Sequence, residues 1–281
     1  MEDTNHKGQT ALITGATEGI GYELAHCFAK DGYNLILVAR SQEDLERVSQ
    51  EFTRRYNVKA YGIAADLMER DAPFKLYDEI TSEGIQIDVL VNNAGQGVWG
   101  AFTGTDLNDE LNIIQLNVVS TVVLTKLFLK EMVARNSGKI LQLGSTSSKA
   151  PTPYLSVYAA TKAFIYNFTQ GLINELKDSK VTMTALLPGP TDTDFFDKAG
   201  MESTVAVMEG NLSDPADVAR DGYEALQNGE SRIISGMKNK LQTMMGNVMP
   251  DQAVAEQFRK QMELSDDAFE IEERKNNGTG N

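Results

Sequence analysis

The chain has 281 residues, 41% of them apolar, a mean hydropathy of -0.30 and a formal net charge of -14. This length and apolar share suit one large α/β unit with a sizeable core, and the anionic excess argues against a nucleic-acid partner, whose phosphates such a field repels. One cysteine, Cys27, and two histidines, His6 and His26, exclude an internal disulfide and argue against a metal centre.

The start of the chain is polar and lacks the apolar core of a secretion signal. Residues 10–14 read as a strand, 19–30 as a helix with Cys27 on its buried face, and 34–39 as a second strand. Residues 41–56 carry Leu45, Val48 and Phe52 at helical spacing. A strand over 58–64, a helix over 70–82 and a strand over 88–91 follow. A long helix is expected over 106–135. Its most apolar part, residues 118–129, is broken by Ser120, Thr121, Thr125 and Lys126, and no stretch approaches the ~18 uninterrupted apolar residues of a membrane span. The expectation is a cytoplasmic protein with no integral membrane segment. A strand over 139–143, a helix over 156–177, a strand over 181–186, a helix over 215–227 and a strand over 231–234 complete the series.

Strands that alternate with helices imply right-handed βαβ crossovers. The strands are near-continuous apolar runs such as Leu35-Ile36-Leu37-Val38, as expected when both faces are covered. The predicted fold is α/β, a Rossmann-type doubly wound parallel sheet of about seven strands with helices on both faces. Residues 1–235 form its dinucleotide-binding and catalytic domain. Residues 236–262 are an amphipathic extension interrupted at Pro250, packed on that domain or on a neighbouring subunit. Residues 263–281 are an acidic, polar, flexible tail.

In such sheets ligands bind beyond the carboxyl ends of the strands, and the motifs lie there. Directly after the first strand comes Thr14-Gly15-Ala16-Thr17-Glu18-Gly19-Ile20-Gly21. Glycines there let the backbone approach a pyrophosphate, which amide N–H groups and the helix dipole then neutralise. At the end of the second strand stand Arg40 and Ser41, with no carboxylate for a ribose hydroxyl; a cation there accommodates a 2′-phosphate. NADP(H) is therefore favoured and NAD(H) is possible, since Glu18 opposes that same phosphate. Tyr158 and Lys162 are four apart on a helix, so phenol and ammonium share a face. A nearby ammonium lowers a phenol's pKa and equips it to exchange a proton with an alkoxide.

These motifs, with Asn92-Asn93-Ala94-Gly95, Ser145 and Pro188-Gly189-Pro190-Thr191-Asp192-Thr193 in the same order and spacing, resemble the short-chain dehydrogenase/reductase family over residues 7–234. Within it, residues 188–196 resemble a bacterial branch of broad substrate range. The resemblance implies Tyr158 as general acid/base, Ser145 as the hydrogen-bond donor to the substrate oxygen, and Lys162 on the nicotinamide ribose. It implies Asn117 as holder of a relay water, with a bridge between strands four and five as the alternative. Asp66 and Leu67 take the adenine, or Asp66 caps the following helix. Asn92, Asn93, Ala94 and Gly95 line the cofactor, as do Pro188 and Gly189, and Thr191 and Thr193 hold the carboxamide. Gly144 departs from the family's usual serine and leaves Thr146, Ser147 and Ser148 as rival hydroxyls, though spacing favours Ser145. The resemblance also implies a homodimer or homotetramer built on the helices over 106–135 and 156–177.

The substrate wall is expected from residues 96–99, 146–155 and the loop after Thr193, with Phe195, Phe196, Met201, Val205, Val207 and Met208 forming an apolar lid. The predicted activity is hydride transfer between a nicotinamide cofactor and a small-molecule carbonyl or alcohol, such as a hydrophobic ketone, an aldehyde or a 3-oxoacyl compound. The alternatives are a catalytically silent nucleotide sensor or scaffold, and a sugar-nucleotide epimerase or dehydratase.

Overall fold

A computed structural model describes residues 6–210, 212–246 and 249–265. Seven parallel strands, β1 (Thr10–Thr14), β2 (Asn34–Ala39), β3 (Ala60–Ala64), β4 (Val89–Asn92), β5 (Lys139–Leu143), β6 (Thr182–Leu187) and β7 (Arg232–Ile234), form one sheet in the order β3-β2-β1-β4-β5-β6-β7. The order reverses between β1 and β4, whose pairing runs Ala11↔Val89 to Ile13↔Val91. That reversal opens a crevice at the carboxyl ends of the strands.

Period-two alternation serves both faces of the sheet. Leu35 and Leu37 of β2 join the core beneath α1 (Gly19–Lys30), α2 (Gln42–Tyr56) and α9 (Pro215–Gln227), whereas Ile36 and Val38 join the opposite core. That second core packs α3 (Ala72–Ser82), α5 (Thr121–Ala134) and α6 (Ser156–Glu175). Phe28, Phe52 and Phe128 are fully enclosed, and truncating any one to alanine costs about 3–5 kcal/mol.

The helix predicted over 106–135 is one continuous run with a change of pitch. It starts as α4 (Leu107–Ile114), widens to a π-helical turn over Gln115–Ser120, and continues as α5. The sequence reading found no uninterrupted apolar stretch long enough for a membrane span and took residues 118–129 as the most apolar part of this helix. The run Leu107–Ala134 is long and apolar enough by length and composition, with a mean hydropathy of 1.5 over its most apolar window and 44% of that window buried. Its Leu124, Phe128 and Met132 belong to the core, and Thr125 accepts hydrogen bonds from Asn92 and Gln142 of β4 and β5. The inner face of the run is therefore fitted to the sheet.

Among the described residues, four α-helices are additional to the predicted series: α7 (Phe195–Ala199), α8 (Val205–Met208), α10 (Met237–Gly246) and α11 (Asp251–Met262). Pro250 is the N-cap of α11, where the missing N–H of proline removes no helical bond. After α11 the chain pairs with residues 203–205: Val205 N donates to Glu263 O, Ser265 N donates to Ser203 O, and Thr204 bridges Leu264. A flexible tail was expected from residue 263, but residues 263–265 are held by backbone bonds. Residues 266–281 of that tail lie outside the described residues.

Candidate active site

A single cavity of about 660 Å³ runs along the carboxyl edge of the sheet, from Arg40 and Asp66 at one end to Ser145, Tyr158 and Met262 at the other. Its floor is the glycine-rich turn after β1. Gly15 and Gly19 have φ of 65° and 54°, a region that favours glycine. Gly21 is required for another reason, since a Cβ there would sit 2.0 Å from the Gly15 carbonyl oxygen and 2.4 Å from Asn93 Nδ2. The next strand holds this turn in place. Asn93 Nδ2 donates to Thr14 O at 2.9 Å and to Gly15 O at 3.0 Å, and Thr14 Oγ1 accepts from Asn93 N and Ala94 N, each at 3.0 Å. The N-terminus of α1 opens on the same floor, which gives an anion its free N–H groups and the positive end of the dipole.

Of the residues expected at the cofactor, Gly15 to Gly21 apart from Ala16, and Arg40, Ser41, Asp66, Leu67, Asn93, Ala94, Gly95, Pro188, Gly189, Thr191 and Thr193 line this cavity. Asn92 does not. It is buried and donates to Thr125 Oγ1 at 3.0 Å, so its side chain serves the core instead of the cleft. Asp66 does not cap α3, because Asp71 occupies that N-cap; Asp66 Oδ1 accepts from Met68 N at 3.0 Å and shapes the rim. The continuous cleft, the tight turn that Gly21 lets pack against Gly15 and Asn93, and the free helix end fit a dinucleotide.

At the far end Ser145, Tyr158 and Lys162 converge. Ser145 Oγ accepts from Ser147 N at 3.1 Å and faces the cavity beside the Tyr158 phenol. Of the rival hydroxyls, Ser148 is engaged elsewhere: it donates to Lys162 O at 2.8 Å and accepts from Ser145 N. Thr146 and Ser147 line the cavity. Lys162 is buried; its ammonium donates to Leu143 O at 2.9 Å and lies 5.7 Å from the centroid of the Tyr158 ring. Burial pushes the Tyr158 phenol up to about 12, opposed by a hydrogen bond with Ser145. Burial also brings the Lys162 ammonium down to about 8. The expectation that Lys162 lowers the phenol's pKa is thus not met: burial sets the shift, and the cation is directed to a backbone carbonyl.

Asn117 sits in the π-helical turn, behind the cavity wall. Its Oδ1 accepts from Gln96 N at 3.0 Å, and its Nδ2 donates to Gln96 O at 2.9 Å and to Thr161 Oγ1 at 3.0 Å. It links the loop after β4 to α6, not strands four and five as the sequence alternative had it. A Cβ at Gly95 would stand 3.0 Å from Lys162 Nζ and 3.3 Å from Asn117 Oδ1. Glycine at that position lets both groups come close to the cleft.

The substrate end is apolar. The Phe195 ring lies 5.1 Å from that of Tyr158, and Phe196, Met201 and Leu155 form a buried cluster beside it. Of the expected lid, Val207 packs in that cluster and Met208 is exposed; neither lines the cavity. The sequence reading missed the contribution of α10 and α11, which supply Asn239, Gln242, Phe258 and Met262 to the wall. Trp99 Nε1 donates to Met262 O at 2.8 Å and fixes the end of α11 there. The amphipathic pattern over 237–262 was the available signal, but it did not reveal the partner of the helix.

Comparison with known proteins gives a consistent picture. A family model described as short chain dehydrogenase matches residues 9–203. Very-long-chain 3-oxoacyl-CoA reductase of Bos taurus is 37% identical over 187 residues, 64% of this chain and 59% of its own length. The protein of the same name from Anas platyrhynchos is 37% identical over 218 residues, 73% of this chain and 69% of its own. The chain therefore spans about 59% of the first of these relatives. Among solved structures, a short-chain dehydrogenase from Sphingobium yanoikuyae in complex with NADPH has a TM-score of 0.77 at 26% identity, covering 86% of this chain and 96% of its own. A 3-oxoacyl (acyl-carrier-protein) reductase from Agrobacterium tumefaciens with NADP bound has a TM-score of 0.73 at 26% identity, covering 84% and 96%.

Proposed function

This chain belongs to the short-chain dehydrogenase/reductase family, and on that premise we propose that it is an NADP(H)-preferring oxidoreductase that reduces a hydrophobic ketone, with a 3-oxoacyl thioester as the leading substrate class. One observation carries the reading. A hydroxyl, a phenol and an ammonium from Ser145, Tyr158 and Lys162 meet at the apolar end of a cavity whose other end is a glycine cradle under a helix N-terminus. A bound nicotinamide dinucleotide supplies the hydride donor and acceptor. Gly15, Gly19, Gly21 and the N-terminus of α1 would hold its diphosphate, Arg40 and Ser41 its adenosine end, and Asn93 to Gly95 with Thr191 and Thr193 the remainder.

The chemistry left to the protein is orientation and proton delivery. Ser145 would give a hydrogen bond to the carbonyl oxygen while keeping its proton, its hydroxyl oriented by the Ser147 N–H that it accepts. Tyr158 is protonated at neutral pH, so it is ready as the acid that protonates the oxygen as charge develops there. In the oxidative direction it must lose that proton, which a cation brought closer to its oxygen makes easier. Lys162 is the group placed to do so once a cofactor ribose offers it a partner other than Leu143 O. Asn117 holds Gln96 and Thr161 in register on either side of this centre. Phe195, Leu155 and Met201 exclude water from the reacting end, which strengthens each of these interactions.

The 3-oxoacyl class is supported by the apolar wall and by the reductases named above, and NADP(H) by Arg40 and by the nucleotides in the two structural neighbours. Leu107, Leu111 and Ile114 of α4 and Phe164 of α6 expose apolar surface, which supports self-association through these helices; light scattering on Leu111→Asp reports it. The test of function is oxidation of NADPH, and separately of NADH, against a panel of 3-oxoacyl thioesters, bulky ketones and aldehydes. Turnover restricted to NADPH and the acyl thioesters is expected. Binding of dinucleotide with no turnover on any carbonyl would favour a sensor.

A further inference from the structure

The cleft carries a pair of charges that the proposed reaction does not use. Glu18 stands in the glycine-rich turn, on the α1 side. Lys198 stands on α7, which approaches the cleft from the segment after β6. The ammonium of Lys198 contacts the Glu18 carboxylate, and Asp194 Oδ2 lies 3.9 Å from the same ammonium. Both Glu18 and Lys198 line the cavity. The contact has company. Gly19 and Thr193 pack so closely that a Cβ on Gly19 would meet Thr193 Cγ2 at 2.8 Å, and Gln96 Nε2 donates to Lys198 O at 3.4 Å. The two walls therefore touch at residues 18–19 and 193–198.

Arg40, Ser41 and Asp44 line the same cavity. The Asp44 carboxyl is held below its ordinary range first by a hydrogen bond with Ser41, then by Arg47, and the charge of Lys198 adds to the effect. The Glu18–Lys198 pair thus lies within electrostatic reach of the end of β2, where a 2′-phosphate sits in folds of this kind. As a stability device the pair does little, since its side chains are 49% and 37% exposed and exposed pairs contribute little. Its consequence is for a charged ligand.

We propose that Lys198 is a positioning residue for the cofactor: it clasps Glu18 across the cleft and shields that carboxylate from the 2′-phosphate, so that Arg40 can select NADP(H). This rests on the reading that the chain binds a nicotinamide dinucleotide. It also accounts for the conflict between Arg40 and Glu18 that the sequence left open. Without Lys198, Glu18 faces a phosphate that NADPH carries and NADH lacks. A like-charge contact costs about 1 kcal/mol per charge pair at 4 Å in water, a factor of about five in affinity.

Fluorescence titration of the whole chain with NADPH and with NADH tests it, using Lys198→Ala, Lys198→Arg, Glu18→Gln and the Glu18→Gln/Lys198→Ala double variant. Lys198→Ala is expected to weaken NADPH about fivefold and NADH less than about twofold. Lys198→Arg should retain wild-type affinity, and Glu18→Gln in the Lys198→Ala background should restore NADPH to within about twofold of wild type. Equal losses for both nucleotides, unchanged NADPH affinity in Lys198→Ala, or absence of rescue by Glu18→Gln would overturn the assignment. A wild-type chain that binds neither nucleotide would instead overturn the functional reading, and this one with it.

Discussion

The ammonium of Lys162 lies over the ring of Tyr158, 5.7 Å from its centroid, and gives a hydrogen bond to the Leu143 carbonyl instead of serving the phenol oxygen. Both groups are desolvated, and their pKa values are driven in opposite directions, the phenol up to about 12 and the ammonium down to about 8. The pair is thus arranged as a neutral acid beside a cation that loses its proton easily. In the mechanism proposed above, reduction uses this state of Tyr158 and oxidation the phenolate, so the oxidative rate should climb with pH over a range where the reductive rate is level or falling.

The Lys162 shift also predicts a slope in stability. Folded Lys162 titrates at about 8 and the unfolded side chain near its ordinary 10.5. Between those values the unfolded chain binds the extra proton, so stability rises with pH through this window and is lost as pH falls back to about 8. Urea midpoints of the cofactor-free protein at pH 8 and pH 10 should therefore differ, and the difference should shrink in Lys162→Met. An identical difference in the variant would assign the slope to other groups.

Gly21→Ala tests the cradle. The new methyl meets backbone oxygen on one side and Asn93 Nδ2 on the other, 2.0 and 2.4 Å away. No side-chain rotation relieves the first contact. The turn must move, and with it the amides proposed to hold the diphosphate. The expected outcome is loss of NADPH binding by more than about tenfold, or about 1.4 kcal/mol, in a protein that still gives a cooperative melt. Unaltered binding would place the nucleotide elsewhere.

Asn117→Ala removes three hydrogen bonds, two to Gln96 and one to Thr161, from a site that is 2% exposed. Leaving buried partners unsatisfied costs about 1–3 kcal/mol, and the melting temperature should fall accordingly. Because Gln96 lines the cavity and Asn117 does not, kcat should fall while the Kd for NADPH changes little. A stable, fully active variant would remove Asn117 from any positioning role.

The succession of strands and helices, the glycine turn and the shared helix face of Tyr158 and Lys162 were legible because each is local: a periodicity, a turn or a helical spacing; Ser145 was expected only from the family resemblance. What was not legible depended on elements distant in sequence. Asn92 and Asn93 are adjacent, yet strand alternation turns the first to Thr125 in the core and the second to Thr14 and Gly15 in the cleft. Lys198 is 180 positions from Glu18, and no pattern along the chain pairs them. The amphipathic stretch after residue 236 showed that an apolar face must be covered, but only the tertiary fold directs Phe258 and Met262 to the substrate end. The opposite pKa shifts of Tyr158 and Lys162 arise from burial, which spacing cannot report.

The central claim is that Tyr158 delivers the proton while the glycine cradle holds the nucleotide, so the most direct measurement is NADPH binding and single-turnover reduction of a 3-oxoacyl thioester by wild type and by Tyr158→Phe in parallel. Equal nucleotide affinity with turnover reduced by about 10²–10⁴-fold in the variant is the predicted result. Near-normal turnover in Tyr158→Phe would contradict the account.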